Sequence, residues 1–258
     1  MIHFRQYPDQ SLLSFTEKPK RIVSLVPSVT ESLIAFDVLP VGRTSFCIEP
    51  AEIVASIPRV GGTKTPNIKR IKNLAPDIVI ANFEENTKED VEALRDLGLN
   101  VWVTYPEKVD DTLSLLQDLQ QLSDAPKSSH KMITDYKKFL AKPYPVTDTK
   151  VLIMIWKNPW MVVGQYTYPH NLVTFAGGCN ACSENRYPVM TEDEIIGTKA
   201  DILILPSEPY KFNQKDIIYW QKKMPGTLVI PFSGEDLFWS GHRSIQACHK
   251  LAQFFHKS

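Results

Sequence analysis

The sequence predicts an α/β protein with two Rossmann-like lobes, each built on a parallel sheet and joined by a long connecting helix. Three observations predict this fold. Short apolar segments alternate with amphipathic helical segments, a purely helical stretch interrupts the alternation, and one pattern recurs on both sides of that stretch. A chain of 258 residues accommodates two lobes of roughly 110–130 residues. We expect an N-terminal lobe over residues 1–108, a connecting segment over 109–142 and a C-terminal lobe over 143–258, with a ligand cleft between the lobes.

The first lobe shows four apolar strand-like segments separated by helices with recognisable caps. Ser28 and Glu31 fit a capping box, as do Thr87 and Asp90, and Asn67 is a suitable cap for a short helix. The predicted strands are residues 21–25, 41–44, 75–81 and 101–104. The third of these is apolar enough to be covered on both faces.

The middle of the chain predicts two consecutive helices, over residues 109–123 and 127–141. The second is our candidate connector, because its 15 residues would span about 22 Å. In the C-terminal lobe, Thr191 and Glu194 form a further capping box. There the predicted strands are residues 150–156, 201–205 and 227–231, and the predicted helices are 168–176, 216–224 and 244–256.

An internal repeat relates the two lobes. Residues 67–80 and 191–204 place a cap, a short helix and a buried strand in the same register without a gap. Two lobes of one design joined by a helix imply a cleft between them.

Composition excludes several classes of protein. The chain has 29 Lys plus Arg and 29 Asp plus Glu, and this balance is not typical of a nucleic-acid-binding protein. The longest apolar runs fall short of the ~20 residues that span a bilayer. The N-terminus shows no signal peptide, so we expect a cytoplasmic protein if Met1 is the true start and a periplasmic one if a leader was removed.

Four cysteines are too few for a disulfide framework in a chain of this length. Cys179 and Cys182 form a C-x-x-C motif, which is compatible with metal or redox chemistry. The motif lacks a second C-x-x-C or a nearby His pair, so we interpret it as two semi-buried thiols at a helix end.

Loops at the carboxyl ends of the predicted strands are rich in aromatic and polar residues, and ligands of open α/β sheets bind there. Aromatic walls with a few polar groups suit a large flat ligand such as a corrin, a porphyrin or an aryl chelate. The planar guanidinium of Arg243 carries several N–H donors that suit an anionic group of a ligand. His242, Tyr166 and Tyr168 are possible axial metal ligands. The candidate ligand-binding residues are Phe46, Cys47, Glu84, Trp156, Trp160, Tyr166, Tyr187, Trp239, His242 and Arg243.

The chain resembles the helical-backbone class of ABC-importer binding proteins, which take up cobalamin, ferric siderophores and haem. The matching segments, which extend over nearly the whole chain, are residues 19–31, 60–62, 67–81, 177–178 and 241–243. The resemblance implies two lobes, a rigid connecting helix and small hinge closure around a bulky metal chelate. We also expect a monomer with no covalently bound cofactor and no catalytic residues.

The resemblance further implies docking on an ABC importer permease through one carboxylate in each lobe. In the second lobe this position is Asp193, beside Glu192. In the first lobe it is Lys69, with Arg70 and Lys72 nearby, and a cation repels the arginines that such a transporter presents. We therefore expect either a leaderless branch that binds its ligand inside the cell, or a transporter with different charges.

Two alternatives remain open. One is a cytoplasmic enzyme that acts on a corrinoid or metal chelate through Cys47, Glu84 or His242, although the sequence has no nucleophile elbow, P-loop, G-x-G-x-x-G or H-E-x-x-H motif. A lowered pKa of Cys47 would favour it. The other is a partner-binding module that has lost its ligand.

Overall fold

The computed structural model describes residues 1–256, which form two compact units. Unit 1 comprises Met1–Pro106 and Thr112–Lys137, and unit 2 comprises Glu107–Asp111 and Lys138–Ser258. Two helices belong to both units. Helix α5 (Val109–Gln120) begins in unit 2 and ends in unit 1, and helix α6 (Pro126–Leu140) begins in unit 1 and ends in unit 2.

Unit 1 is built on a four-stranded parallel sheet of order β4-β3-β5-β6. Its strands are β3 (Ile22–Ser24), β4 (Gly42–Arg43), β5 (Ile78–Asn82) and β6 (Val101–Thr104). Its remaining helices are α1 (Pro27–Ala35), α2 (Ala51–Val54), α3 (Ile68–Asn73) and α4 (Lys88–Asp96). Strands β3 and β6 are buried along their whole length, as a sheet with helices on both faces requires.

Unit 2 has a five-stranded sheet in which β11, β10, β7 and β9 are parallel and β8 is antiparallel to β7. Its strands are β7 (Lys150–Trp156), β8 (Met161–Val162), β9 (Cys179–Asn180), β10 (Ile202–Pro206) and β11 (Leu228–Phe232). Its helices are α7 (Tyr168–Phe175), α8 (Glu192–Gly197), α9 (Gln214–Lys223), α10 (Gly234–Phe238) and α11 (Ser244–Phe255). The α/β class with parallel sheets is thus confirmed.

Three predicted caps are present. Asn67 accepts a hydrogen bond from the Arg70 N–H, and Thr87 accepts one from Asp90 N–H. Thr191 and Glu194 form the full reciprocal capping box of α8.

The capping box predicted at Ser28 and Glu31 is wrong. Helix α1 begins two residues earlier than that box requires, at Pro27, with Val26 as an N-cap that makes no side-chain hydrogen bond. Proline at the first helical position loses nothing by lacking an N–H and has a helical φ already set, so it starts the helix without a polar cap.

An N-terminal hairpin was not predicted. Strands β1 (Ile2–Arg5) and β2 (Leu12–Phe15) pair antiparallel, and Phe4 stacks on Trp102 of β6 with ring centroids 4.6 Å apart. The Trp102 indole N–H donates to the Arg5 carbonyl at 3.0 Å. These contacts attach the hairpin to unit 1.

Across residues 1–256, none of the helices combines the length and the apolar character that a membrane span requires.

Candidate ligand-binding surfaces

The carboxyl edge of the unit 1 sheet presents a cluster of three aromatic rings. Phe83 follows β5, Tyr105 follows β6, and Tyr7 comes from the N-terminal hairpin. The Tyr7 N–H donates to the Val103 carbonyl at 3.0 Å, which holds the hairpin against strand β6. The ring centroids of Tyr7, Phe83 and Tyr105 lie 4.6–5.3 Å apart. Phe83 is 49% exposed, so the cluster offers an aromatic face to solvent.

Phe46 and Cys47 follow β4, but the structure separates them. Phe46 is 58% exposed and remains available to a ligand. Cys47 is fully buried, where it accepts a hydrogen bond from the Thr30 hydroxyl at 3.0 Å and lies 3.2 Å from the Thr44 hydroxyl. Burial raises the pKa of the Cys47 thiol, and the two threonine contacts only partly oppose this. The expected ligand contact at Cys47 is therefore wrong.

The loop that holds Glu84 is fixed by asparagines at its two ends. Asn82 accepts the N–H groups of Glu84 and Glu85 at 2.8 and 3.2 Å. Asn86 donates to the Thr63 carbonyl at 2.9 Å, and Lys64 donates to the Glu84 carbonyl. Glu84 is half-buried, and burial raises the pKa of the neighbouring Glu85, an effect that Lys64 partly opposes.

The carboxyl edge of the unit 2 sheet presents a second row of rings. Trp156 ends β7 and meets Tyr210, which follows β10, edge to face at 5.6 Å. Tyr210 in turn meets Phe212 at 4.8 Å. Trp156 is 42% exposed, so this row also faces solvent.

Trp160 lies elsewhere, against helix α9. Its ring is 5.1 Å from Trp220 and 6.2 Å from Tyr219, and it packs on the core of unit 2. Trp160 is therefore mainly a packing residue, because the turn after Trp156 directs the two indoles to different places.

Trp239 also packs inward. It is 4% exposed, and the Arg243 guanidinium lies 5.5 Å from its ring centroid. Arg243 donates to the carboxylate of Asp236 at 3.0 Å, and Lys250 donates to the same group at 2.5 Å. The Arg243 guanidinium is therefore paired with Asp236 and is not free to bind an anionic ligand group. His242, which precedes Arg243 in the chain, is half-buried.

Tyr166 and Tyr187 are joined by Arg186. The Arg186 guanidinium donates to the Tyr166 carbonyl at 2.6 Å and lies 5.5 Å from the Tyr187 ring centroid. Tyr166 is 60% exposed and lines an open depression together with Glu107, Lys108, Gln165, Thr167, His170 and Asn171. Tyr168 does not join it as an axial ligand, because it is buried with its hydroxyl 2.6 Å from that of Ser244.

The two repeat-related helices have opposite charges. Lys69 and Lys72 on α3 are exposed and make no ion pair with any described residue, and the Arg70 guanidinium donates only to the Arg59 carbonyl, at 3.4 Å. On α8, Glu192 accepts from Tyr219 and pairs with Lys223 at 3.0 Å, and these contacts lower the pKa of Glu192. Asp193 is exposed and unpaired within residues 1–256.

The C-x-x-C motif lies in and after strand β9 rather than at a helix end. Cys179 is half-buried and donates to the Thr147 carbonyl at 3.2 Å, whereas Cys182 is buried, which raises its pKa. Among residues 1–256, no group of three or more His, Cys, Asp or Glu side chains could hold a metal ion.

Sequence reasoning missed four residues of these surfaces, namely Tyr7, Tyr105, Tyr210 and Phe212. Tyr105 and Tyr210 each follow a strand of a parallel sheet, so the rule that identified Phe46 could have found them. Tyr7 gave no such signal, because only the tertiary position of the hairpin brings it to Phe83.

Comparisons with known proteins agree on one family. The family described as "Periplasmic binding protein" matches residues 22–223. The vitamin B12-binding protein of Salmonella choleraesuis is 27% identical over 248 residues, which are 90% of each chain.

Solved structures share the fold. The periplasmic vitamin B12-binding protein of Vibrio cholerae has a TM-score of 0.77 at 20% identity, over 92% of this chain and 96% of that one. The periplasmic haem-binding protein of Roseiflexus sp. RS-1 in its apo form also has a TM-score of 0.77 at 20% identity, over 92% and 98% of the two chains.

Proposed function

Since this chain belongs to the periplasmic binding protein family, we propose that it is a solute-binding protein whose cargo is a corrinoid of the vitamin B12 type. The observation that supports this most strongly is the similarity, over 90% of the chain, to a protein named for binding vitamin B12. The metal arrives inside the cargo as part of a chelate, so the chain needs no metal-binding cluster of its own.

The aromatic surfaces at the two carboxyl edges support a large, flat cargo. Phe83 in unit 1 and Trp156 in unit 2 are each more than 40% exposed, and each belongs to a row of rings fixed by neighbouring side chains. Covering apolar surface stabilises a complex by about 25 cal/mol per Å². Rings held in place lose little side-chain entropy when a macrocycle covers them.

Haem is the second candidate cargo. The structural neighbours include haem-binding proteins, and exposed Tyr166 has a phenol that could serve as an axial oxygen ligand for iron.

We propose that the protein is not an enzyme. The alternative that used Cys47 required an accessible thiol of lowered pKa, and this thiol is buried with a raised pKa.

Partners and compartment form part of the same proposal. The protein acts as a monomer with lobes 1–108 and 143–258 joined by 109–142, and it delivers cargo to an ABC importer permease on the periplasmic side of a membrane. Unpaired Asp193 suits a basic docking residue, whereas Lys69 suits an acidic one.

A thermal-shift screen against cobalamin, cobinamide, haem and a ferric-siderophore panel tests the cargo. A ligand at a hundredfold excess over its Kd stabilises the folded protein by about 2.7 kcal/mol. We expect corrinoids to raise the Tm, and Trp156→Ala and Phe83→Ala to reduce that rise. Leu39→Ala is the matched control, because Leu39 is 61% exposed and precedes β4 at the opposite edge of the unit 1 sheet. A shift with haem alone would replace the corrinoid by the second candidate, and no shift with any chelate would refute the function.

A further inference from the structure

The open depression in unit 2 has a polar lining that the proposed function does not yet use. Its free volume is about 180 Å³, which is larger than one small functional group and far smaller than a macrocycle. The depression lies where the start of α5 meets the loop before α7: Val109 donates its N–H to the Asn171 side-chain oxygen at 2.8 Å. It can therefore hold only a peripheral part of a large cargo.

The hydrogen bonds of Asn180 fix the tautomer of His170. The Asn180 Oδ1 accepts the Cys182 N–H at 3.1 Å, and Nδ2 donates to the Val163 carbonyl at 3.0 Å, so the amide has one possible orientation. Nδ2 also lies 3.1 Å from His170 Nδ1, which must therefore accept. Burial lowers the pKa of His170, so the ring is neutral and its proton is on Nε2.

This arrangement makes His170 a hydrogen-bond donor and prevents it from binding a metal ion. A metal at Nε2 would need that nitrogen to be unprotonated, and the usual orienting partner accepts a proton from Nδ1. Here the partner at Nδ1 is itself a donor. Within the described part of the chain, Nε2–H has no partner, so it is available to an oxygen acceptor.

Two amides complete the lining. Asn171 uses its oxygen to accept from Val109, which leaves its Nδ2 as a donor. The Gln165 side chain makes no hydrogen bond with residues 1–256, so it offers both an acceptor and a donor. The residues that line the depression thus include donors on His170 and Asn171 and both a donor and an acceptor on Gln165.

The charges around the depression favour a neutral ligand group. Glu107 and Lys108 both line it, so their formal charges cancel, and His170 is neutral. A carboxylate here would lie near the carboxylate of Glu107, and the lining itself contains Lys108 but no arginine that could bind it with two parallel donors. A primary carboxamide both accepts and donates, so it matches a lining that contains donors as well as an acceptor.

We propose that this depression binds a primary carboxamide arm at the rim of the corrinoid. The inference rests on the proposed function and narrows its cargo to chelates with amide arms rather than carboxylate arms. The amide oxygen accepts from His170 Nε2–H and from the Asn171 amide, and the amide NH₂ donates to the Gln165 oxygen.

The test compares two corrinoids, dicyanocobinamide with primary amides and dicyanocobyrinic acid with carboxylates at the same positions. His170→Leu should weaken binding of cobinamide about five- to tenfold, the effect of one lost hydrogen bond, and should leave binding of cobyrinic acid unchanged. His170→Gln, which restores an N–H donor, should recover much of the loss. His3→Leu is the control, since His3 is an exposed histidine of unit 1 bonded to Ser14.

Nitrogen-15 NMR of the imidazole of His170 tests the tautomer without any ligand, and we expect the proton on Nε2. A proton on Nδ1, or equal losses for both corrinoids in His170→Leu, would overturn the amide subsite while leaving the corrinoid cargo standing. Failure of the unmodified protein to bind either corrinoid would refute the proposed cargo, and the subsite with it.

Discussion

Replacing Asp236 by Asn tests how the turn that contains Trp239 and Arg243 is held. The Asp236 carboxylate is 1% exposed and balances two cations, Arg243 at 3.0 Å and Lys250 at 2.5 Å. Asparagine has the same shape but no charge, so the substitution leaves both cations without their counter-charge and creates no cavity.

The expected loss in the free energy of unfolding follows from how exposed Asp236, Arg243 and Lys250 are. Breaking a fully buried pair costs about 3–5 kcal/mol. The Arg243 and Lys250 side chains are 18% and 43% exposed and keep part of their hydration, so we expect Asp236→Asn to cost about 2–3 kcal/mol. Lys250→Met removes only the more exposed partner and should cost about 1 kcal/mol or less.

Urea denaturation measures the free energy of unfolding of both variants. With m of about 2 kcal/mol/M, Asp236→Asn should lower the midpoint by about 1 M, and Lys250→Met should lower it by less than half of that. If the two variants lost equal stability, or if Asp236→Asn lost less than about 1 kcal/mol, the reasoning from the buried carboxylate would be refuted.

Three further outcomes are expected. In the native protein Cys47 should not react with Ellman's reagent at pH 8 and should react in denaturant, because its thiol is buried with a raised pKa; rapid native reaction would restore the case for a catalytic thiol. Burial raises the pKa of Asp118 to about 6, so the carboxylate destabilises the fold above that pH. Asp118→Asn should therefore stabilise the protein by about 1–2 kcal/mol at pH 7.5, with the gain vanishing as the pH falls from about 6 to 4; a gain unchanged at pH 4 would contradict this. In the same denaturation assay, Thr191→Ala should lower the free energy of unfolding by about 1 kcal/mol and Ser28→Ala by less than about 0.5 kcal/mol. The reason is that, of the two residues, only Thr191 caps a helix. A larger loss for Ser28→Ala than for Thr191→Ala would restore the capping box at Ser28.

Much of the fold could be predicted from the sequence because its signals are local. Strand β7 has the predicted bounds, residues 150–156, and α11 was predicted within one residue, because apolar periodicity and end signals lie in the segment itself. The start of α1 was missed where two local signals competed, and Pro27 prevailed over Ser28.

The candidate site could be predicted only in part. Carboxyl-end loops were identified correctly, but the direction of each ring depends on distant residues. Trp156 meets Tyr210 and stays exposed, whereas Trp160, four residues later, packs on Trp220. Tyr7 reaches Phe83 only because Phe4 stacks on Trp102, 98 positions along the chain. Sequence spacing contains no record of such contacts.

The opposite charges of α3 and α8 constrain the symmetry of any docking partner. A partner with two-fold symmetry presents the same side chains twice, so if it attracts Asp193 on α8 it repels Lys69 on the repeat-related α3. The proposed docking would therefore need a basic side chain at α8 and an acidic one at α3. A net charge of zero thus conceals one basic and one acidic helix at repeat-related positions of the chain.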